Sequence, residues 1–219
     1  QAPARLCDKL GKLDHDPKKN PGLPEEDFKL GVMGTNRCNL GFGHKNLAET
    51  IQAYMEDAAE HNLVDLGHRR WCLNPRMQKT GLGRAGMFTA MYCLDMGQKK
   101  PPAFDVIAFP PPGPMPLDYF QAHWPWNVSL NLGTYKEPVE KKVKVQMREV
   151  LGDGEKKAVA LNYFKVNNDP YGVPACVIFR PELKELRDGQ RFLVEIEGLE
   201  LAKGKAQAAE PLRYVVEFF

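Results

Sequence analysis

Apolar residues recur at helical spacing in two stretches of the first half of the chain. In residues 2–13, three leucines spaced three or four positions apart predict a helix. The stretch NLAETIQAYMEDAAEHN, residues 46–62, predicts a second and longer helix. Asn46 is placed to cap it, and Glu49, three residues later, completes a capping box. The first half of the chain is therefore expected to supply the helices of the protein.

Alternation of apolar and polar residues marks the strands. One alternating run, residues 88–94, follows a Gly-x-Gly turn, and six or seven further runs come after Trp126, separated by turns rich in Gly, Pro, Asp and Asn. So many short strands in about 90 residues predict a β-sandwich. The run LKELRDGQRFLVEIEG resembles the corner of immunoglobulin- and fibronectin-like sandwiches, with Phe192 in place of the usual corner Tyr.

A Pro-rich segment with aromatic residues lies between these two halves. Six prolines fall between Phe109 and Trp126, which predicts an extended, semi-rigid connector. Its aromatic residues, Phe120, Trp124 and Trp126, are expected to pack it against a domain. The predicted organisation is a first domain, a connector and an accessory β-sandwich, at residues 1–110, 111–126 and 127–219.

The charge balance narrows the classes of partner. Thirty basic and 28 acidic residues give a net charge of +2, without the concentrated basic field of a nucleic-acid-binding protein. No apolar stretch approaches the ~20 residues of a membrane-spanning helix. The chain begins with Gln rather than Met, which suggests an upstream segment. We expect no nucleic-acid partner and no membrane span.

Five cysteines leave the redox environment open. They have no CxxC spacing, which argues against a cysteine-type zinc or redox motif, and their odd number leaves at least one unpaired. One or two disulfides would fit an oxidising compartment, and five buried thiols fit the composition equally well. The five positions are Cys7, Cys38, Cys72, Cys93 and Cys176.

The most polar cluster of the chain adjoins an apolar segment. His68, Arg69 and Arg70 are followed at once by Trp71, Cys72 and Leu73. A solvated loop has no need of the tryptophan and leucine, and a core segment has no need of the charged residues. The arrangement predicts the wall of a cleft, half buried and half chemical.

This cluster is the last of several motifs in a characteristic order. LDH ends at His15, GTNRCNLG covers residues 34–41, GHRRWCLNP covers residues 67–75, and GLG follows at residues 81–83. In this order the motifs resemble the bacterial branch of the CAP superfamily, the cysteine-rich secretory, antigen 5 and pathogenesis-related proteins, also called SCP-like domains. The resemblance covers residues 1 to about 110.

The resemblance implies a fold and a site. The fold would be α+β, with a CAP-like α-β-α sandwich that lacks its first helix, followed by the β-sandwich. The site would be a cleft with two histidines, His15 and His68, which could hold zinc weakly. Thr35 stands where the family has its first acidic residue, and Glu56, or next Asp57, matches the second. The implied cleft residues are His15, Thr35, Asn36, Glu56, Asp57, His68 and Arg69.

Three functions follow from this resemblance. The first is a secreted or cell-surface binding module that holds a small apolar ligand, a glycan or a protein partner in its His-lined cleft. The second is a zinc-dependent hydrolase with His15 and His68 as metal ligands and Glu56 as general base. The third is a structural component of a cell wall or matrix.

Other roles for the same residues stay open. His68 could be a hydrogen-bonded structural residue, and Arg69 and Arg70 could be partners of Asp65 or Glu56. A Cys–His pair using Cys38 or Cys72 with His68 is conceivable. A Ser–His–Asp arrangement is disfavoured, because the chain has a single serine, within a predicted strand.

Overall fold

The computed structural model describes residues 1–152, 154–202 and 210–219. These residues form two units. The first contains Gln1–Met55 and Trp71–Pro102, and the second contains Glu56–Arg70 and Ala103–Phe219. A segment of 15 residues thus belongs to the second unit although both its neighbours in sequence belong to the first.

The first unit is built on a three-stranded antiparallel sheet. Its central strand, β3, pairs with β1 on one side and β2 on the other. The strands are β1 (Cys38–Phe42), β2 (Leu82–Ala85) and β3 (Phe88–Tyr92). The helices of the chain are α1 (Ala2–Leu10), α2 (Glu25–Thr35), α3 (Leu47–Glu56), α4 (Glu60–Leu63) and α5 (Gly67–Cys72). Helix α4 and most of α5 lie in the second unit.

Helix α1 packs on one face of this sheet. Its buried Ala4 and Cys7 join Leu40 of β1 with Phe88 and Ala90 of β3 in one apolar cluster. The helix ends three residues earlier than predicted, because Gly11 adopts a left-handed conformation at φ 68° and its N–H donates to the carbonyl of Asp8.

Helix α2 packs closely against α1. A Cβ at Gly34 would lie 2.3 Å from Cγ of Pro3, and one at Gly31 would lie 2.8 Å from Cδ2 of Leu6. Glycine normally weakens a helix. Here the absence of a side chain lets the two helices approach, so these glycines favour the packing of α2 at the expense of its intrinsic stability.

The second unit contains two sheets. One is antiparallel in the order β4-β6-β10-β9, and the other has the order β5-β12-β11-β7-β8, with only β5 and β12 parallel. The strands of the first are β4 (Val106–Phe109), β6 (Trp126–Leu130), β9 (Leu161–Asn167) and β10 (Cys176–Pro181). Those of the second are β5 (Gly113–Met115), β7 (Lys144–Val150), β8 (Lys156–Val159), β11 (Arg191–Glu197) and β12 (Leu212–Phe218).

Aromatic rings fill the space between these two sheets. The Trp126 ring on β6 lies 6.1 Å from Phe179 of the same sheet, and 6.0 Å and 6.1 Å from Phe192 and Phe218 of the other. The Phe120 ring lies 5.8 Å from Trp126. All six, with Trp124 included, are large, nearly fully buried side chains. The sheets therefore face each other in a β-sandwich-like arrangement.

The Pro-rich segment 111–126 takes part in this core. It supplies β5, which pairs with β12, and it buries Phe120, Trp124 and Trp126, whose side chains are at most 2% exposed. Burial of aromatic side chains contributes strongly to a core.

The fold class expected from the sequence is wrong. In place of an α+β chain led by a CAP-like α-β-α sandwich over residues 1–110, the described residues form a mainly β structure, and the two sheets of its second unit have the β-sandwich-like arrangement. The described residues contain twelve strands in three sheets, and their α-helices span only 4 to 11 residues. The predicted helix of residues 46–62 ends at Glu56, because Asp57 adopts φ 47°. The following residues, 56–70, join the second unit.

Replacing Gly198 by alanine is expected to lower the free energy of unfolding by about 2 kcal/mol or more. Gly198 has φ 79°, and a Cβ there would lie 1.9 Å from the carbonyl oxygen of Lys142. This oxygen belongs to the backbone, so it cannot move aside as the end of a flexible side chain could. Denaturant unfolding would measure the loss. Gly152→Ala is the control, because nothing lies within 4 Å of the added Cβ. Equal stability of the two variants would contradict the expectation.

Candidate functional site

A histidine–carboxylate pair lies within the segment 56–70 of the second unit. Asp57 follows α3 in a left-handed conformation, which turns the chain away from the helix, and its side chain is fully buried. Its Oδ1 lies 2.8 Å from Nδ1 of His68, and its Oδ2 accepts from the backbone N–H of Arg69 at 3.2 Å. One buried carboxylate therefore fixes both the start of α5 and the ring of His68.

The pair sets the tautomer of His68. An ionised carboxylate can only accept hydrogen bonds, so Nδ1 carries the proton and Nε2 presents a lone pair in the neutral ring. The side chain of His68 is 26% exposed, whereas that of Asp57 is not exposed at all. Such an oriented imidazole can accept a hydrogen bond, take up a proton or ligate a metal.

Arg69 is not a cleft residue, because it is fully buried. Its Nη1 donates to the carbonyl of Pro125 and to Oδ1 of Asn127, and its Nη2 donates to the carbonyl of Glu56 at 2.6 Å. The guanidinium carbon also lies 5.0 Å from the centre of the Phe109 ring. These contacts link Glu56 to the start of β6 within the second unit.

Arg70, the next residue of α5, is buried in a similar way within the same unit. Its guanidinium donates to Oδ1 of Asn167 at 2.7 Å and to the carbonyls of Asp65, Asp169 and Val173. Burial lowers the pKa of Arg70. The proposed partners Glu56 and Asp65 thus contact Arg69 and Arg70 through their backbone carbonyls.

The carboxylate of Glu56 contacts another histidine of the second unit, His123. Its Oε1 lies 3.2 Å from Nε2 of His123, and both side chains are well exposed. His123 was missed in the sequence, although it stands among aromatic residues in FQAHWPW. A titratable residue beside buried aromatics is the same pattern that singled out His68.

His15 and Thr35 contact each other in the first unit. Nδ1 of His15 lies 2.7 Å from the carbonyl oxygen of Thr35, and the Thr35 hydroxyl donates to the carbonyl of His15 at 3.2 Å. Thr35 is fully buried. Asn36 is exposed, and its amide donates to the carbonyl of Val32 at the end of α2. Thr35, at the position that the resemblance assigns to an acid, therefore forms structural hydrogen bonds.

The structure brings the predicted site residues together in pairs. His15 pairs with Thr35 in the first unit, and Asp57 pairs with His68 in the second. Among residues 1–152, 154–202 and 210–219, no three His, Cys, Asp or Glu side chains form a group that could hold a metal ion. The weak zinc site expected from His15 and His68 is thus not confirmed by an assembled set of ligands.

The cysteines form no disulfides in the described part of the chain, where all five lie. Cys7, Cys38, Cys93 and Cys176 are buried, whereas Cys72 is half-buried. Burial raises the pKa of Cys38 to about 11 and that of Cys93 to about 12.

The fold and these pairs define a mainly β protein of two units with oriented histidines. No protein-family profile matches the chain, and no curated protein is significantly similar to it in sequence. A solved structure, PcoC, a methionine-rich copper resistance protein from Escherichia coli, aligns with a TM-score of 0.34 and 10% identity, over 51% of this chain and 93% of its own. A similarity this low supports neither a fold nor a function.

Two sequence predictions remain to be compared with these findings: the absence of a membrane span and the resemblance to the CAP superfamily. Among the described residues, no helix is long and apolar enough to cross a membrane. The resemblance of the motifs to the CAP superfamily stays a prediction, since no comparison bears on it.

Proposed function

We propose that the chain is a binding module, and that His68 is its central recognition residue. The observation that carries this proposal is the 2.8 Å contact between Nδ1 of His68 and the buried carboxylate of Asp57. It leaves an imidazole of fixed orientation and tautomer at a partly exposed position. A preorganised hydrogen-bonding group of this kind loses little conformational entropy when a ligand binds.

The polar character of the site favours a glycan over a small apolar ligand or a protein. His68 offers a directional acceptor, and the exposed Glu56–His123 pair offers a carboxylate and a second imidazole. Sugar hydroxyls both donate and accept hydrogen bonds, so they match such groups. As the motif resemblance implies, the proposal places the protein outside the cytoplasm, as a secreted or cell-surface protein.

Binding is favoured over the zinc-dependent hydrolase because of what the neighbouring residues do. Arg69 and Arg70 are committed to carbonyl and amide oxygens of the second unit, and Thr35 holds the backbone of His15. The carboxylate of Glu56 contacts His123. The residues around the histidines thus form structural contacts, and we derive no catalytic step from them.

His68→Ala is expected to weaken glycan binding about 5- to 10-fold, since one hydrogen bond contributes ~1 kcal/mol. Neutral β-1,4-linked oligomers of glucose and of N-acetylglucosamine would be titrated, with calorimetry for affinity and the ring nitrogen resonances of His68 for contact. Exposed His61 lies in the same segment, on α4, so His61→Ala is the matched control. An unperturbed His68 ring throughout the series, or equal affinity of His68→Ala and wild type, would reject the proposal.

A further inference from the structure

A group of sulfur atoms lies on the face of the first sheet opposite α1. Asn39 of β1 and Met91 of β3 are paired residues in the register, so their side chains share a face. Cys93 is two residues beyond Met91, and its N–H donates to the carbonyl of Arg37, which continues the pairing and keeps its side chain on that face. Cys72, the last residue of α5, reaches the same place.

Two of these sulfurs are close enough to share one ion. Sγ of Cys72 lies 3.9 Å from Sδ of Met91. An ion about 2.3 Å from each sulfur, the usual metal–thiolate distance, would subtend an S–ion–S angle of about 115° at that separation. This angle is close to those of trigonal and tetrahedral coordination, so neither side chain would have to move far.

The side-chain amide of Asn39 contacts both Cys72 and Cys93. Nδ2 of Asn39 lies 3.5 Å from Sγ of Cys72, and Oδ1 of the same amide lies 3.5 Å from Sγ of Cys93. In this second contact the Cys93 thiol is the donor and the amide oxygen is the acceptor. This contact directs the NH₂ group of Asn39 at Cys72, where a donor stabilises negative charge on sulfur.

The chemistry of the two ligands selects the ion. A thiolate and a thioether are soft ligands, which favour Cu(I) and disfavour hard cations. Met91 is 5% exposed, whereas Cys72 is half-buried and the other four cysteines are buried, so an ion would reach the pair from the side of Cys72. A buried thioether and a half-buried thiol together suit a soft monovalent ion.

We propose that Cys72 and Met91 form a binding site for a soft monovalent cation, Cu(I) or its analogue Ag(I), supported by the amide of Asn39. On binding, the S–H bond of Cys72 breaks and its proton passes to solvent, while sulfur forms a bond to the cation. Met91 adds a neutral sulfur ligand, and no electron is transferred. The site lies in the first unit and is independent of the function proposed for His68.

The test is competition for Cu(I) by a colorimetric chelator under anaerobic, reducing conditions, with the full chain. Wild type is expected to bind one tight equivalent and to show ultraviolet thiolate-to-copper absorption. Cys72→Ser should lose both. Met91→Leu, which keeps nearly the same volume, should bind about 10- to 100-fold more weakly and retain its thermal stability.

Two controls keep the outcome decisive. Met87→Leu removes an exposed methionine just before the same strand and should bind as wild type does. Ag(I) titration followed by the chemical shift of the Met91 methyl group reports the thioether contact directly. Unchanged Cu(I) affinity in Met91→Leu would overturn the proposal, because it would leave a thiol that captures copper without a second ligand. A tight equivalent that survives in Cys72→Ser would overturn it as well.

Discussion

Arg70→Ala is expected to lower the free energy of unfolding by about 3–5 kcal/mol, because four acceptors in buried or partly buried hydrogen bonds lose their donor at about 1 kcal/mol or more each. The four are Oδ1 of Asn167 and the carbonyl oxygens of Asp65, Asp169 and Val173. Water cannot readily replace the guanidinium, since Arg70 is 1% exposed. Denaturant unfolding followed by tryptophan fluorescence would measure the loss.

Arg70→Lys separates charge from geometry. Lysine keeps the positive charge, but one ammonium group cannot reach four acceptors that a planar guanidinium contacts together. More than half of the loss should therefore remain. Arg187→Ala is the control, because the Arg187 side chain is 67% exposed and pairs only with exposed Glu185. If Arg70→Ala cost no more than this control, the role assigned to the buried arginine would be wrong.

Trp126→Ala is expected to cost about 3–5 kcal/mol, the range for loss of a buried aromatic side chain. Its ring touches both sheets of the second unit, so the cavity would open between them. Chemical denaturation would give the change in unfolding free energy.

Trp126→Phe isolates the ring from its N–H group. The indole Nε1 of Trp126 is buried without a hydrogen-bond partner in the described structure, so its removal sacrifices no hydrogen bond. We expect this variant to lose well under half as much stability as Trp126→Ala. Tyr119→Ala, at an aromatic position that is 65% exposed, should be almost neutral. A large effect at Tyr119 together with a small one at Trp126 would contradict this account of the core.

The strands of the second unit were easier to predict than the first unit. In KKVKVQMREV and RFLVEIEGL the period of two is visible directly, and β7 and β11 form there. Helix α2 was not predicted, because Gly31 and Gly34 lie within it and glycine disfavours a helix. The sequence shows that glycine weakens a helix, but it does not show that a second helix needs the space.

The candidate site was predicted in its parts and not in its pairing. His68 was identified, and Glu56 was preferred to Asp57 as the match to the family's second acidic residue. In the structure the helix ends at Glu56, and the left-handed conformation of Asp57 turns its carboxylate to His68. A backbone conformation set by buried contacts leaves no mark in the periodicity of side chains.

The burial of the two arginines depends on residues distant in sequence. Arg69 contacts Asn127, 58 positions away, and Arg70 contacts Asn167, 97 positions away. A local pattern of two adjacent arginines normally indicates a solvated surface. These side chains can be buried because acceptors from distant parts of the second unit form hydrogen bonds with their guanidinium groups.

The path of the chain bears on how such a protein can diversify by recombination. In sequence, residues 56–70 lie between the two parts of the first unit, but they belong to the second unit. A crossover at any single position between residues 71 and 102 would therefore transfer an incomplete set of contacts. A descendant that inherited Ala103–Phe219 alone would lack the guanidinium groups of Arg69 and Arg70, and the acceptors of Pro125, Asn167 and Val173 would need new donors. The two units are therefore expected to be inherited together, as one genetic module rather than as two interchangeable ones.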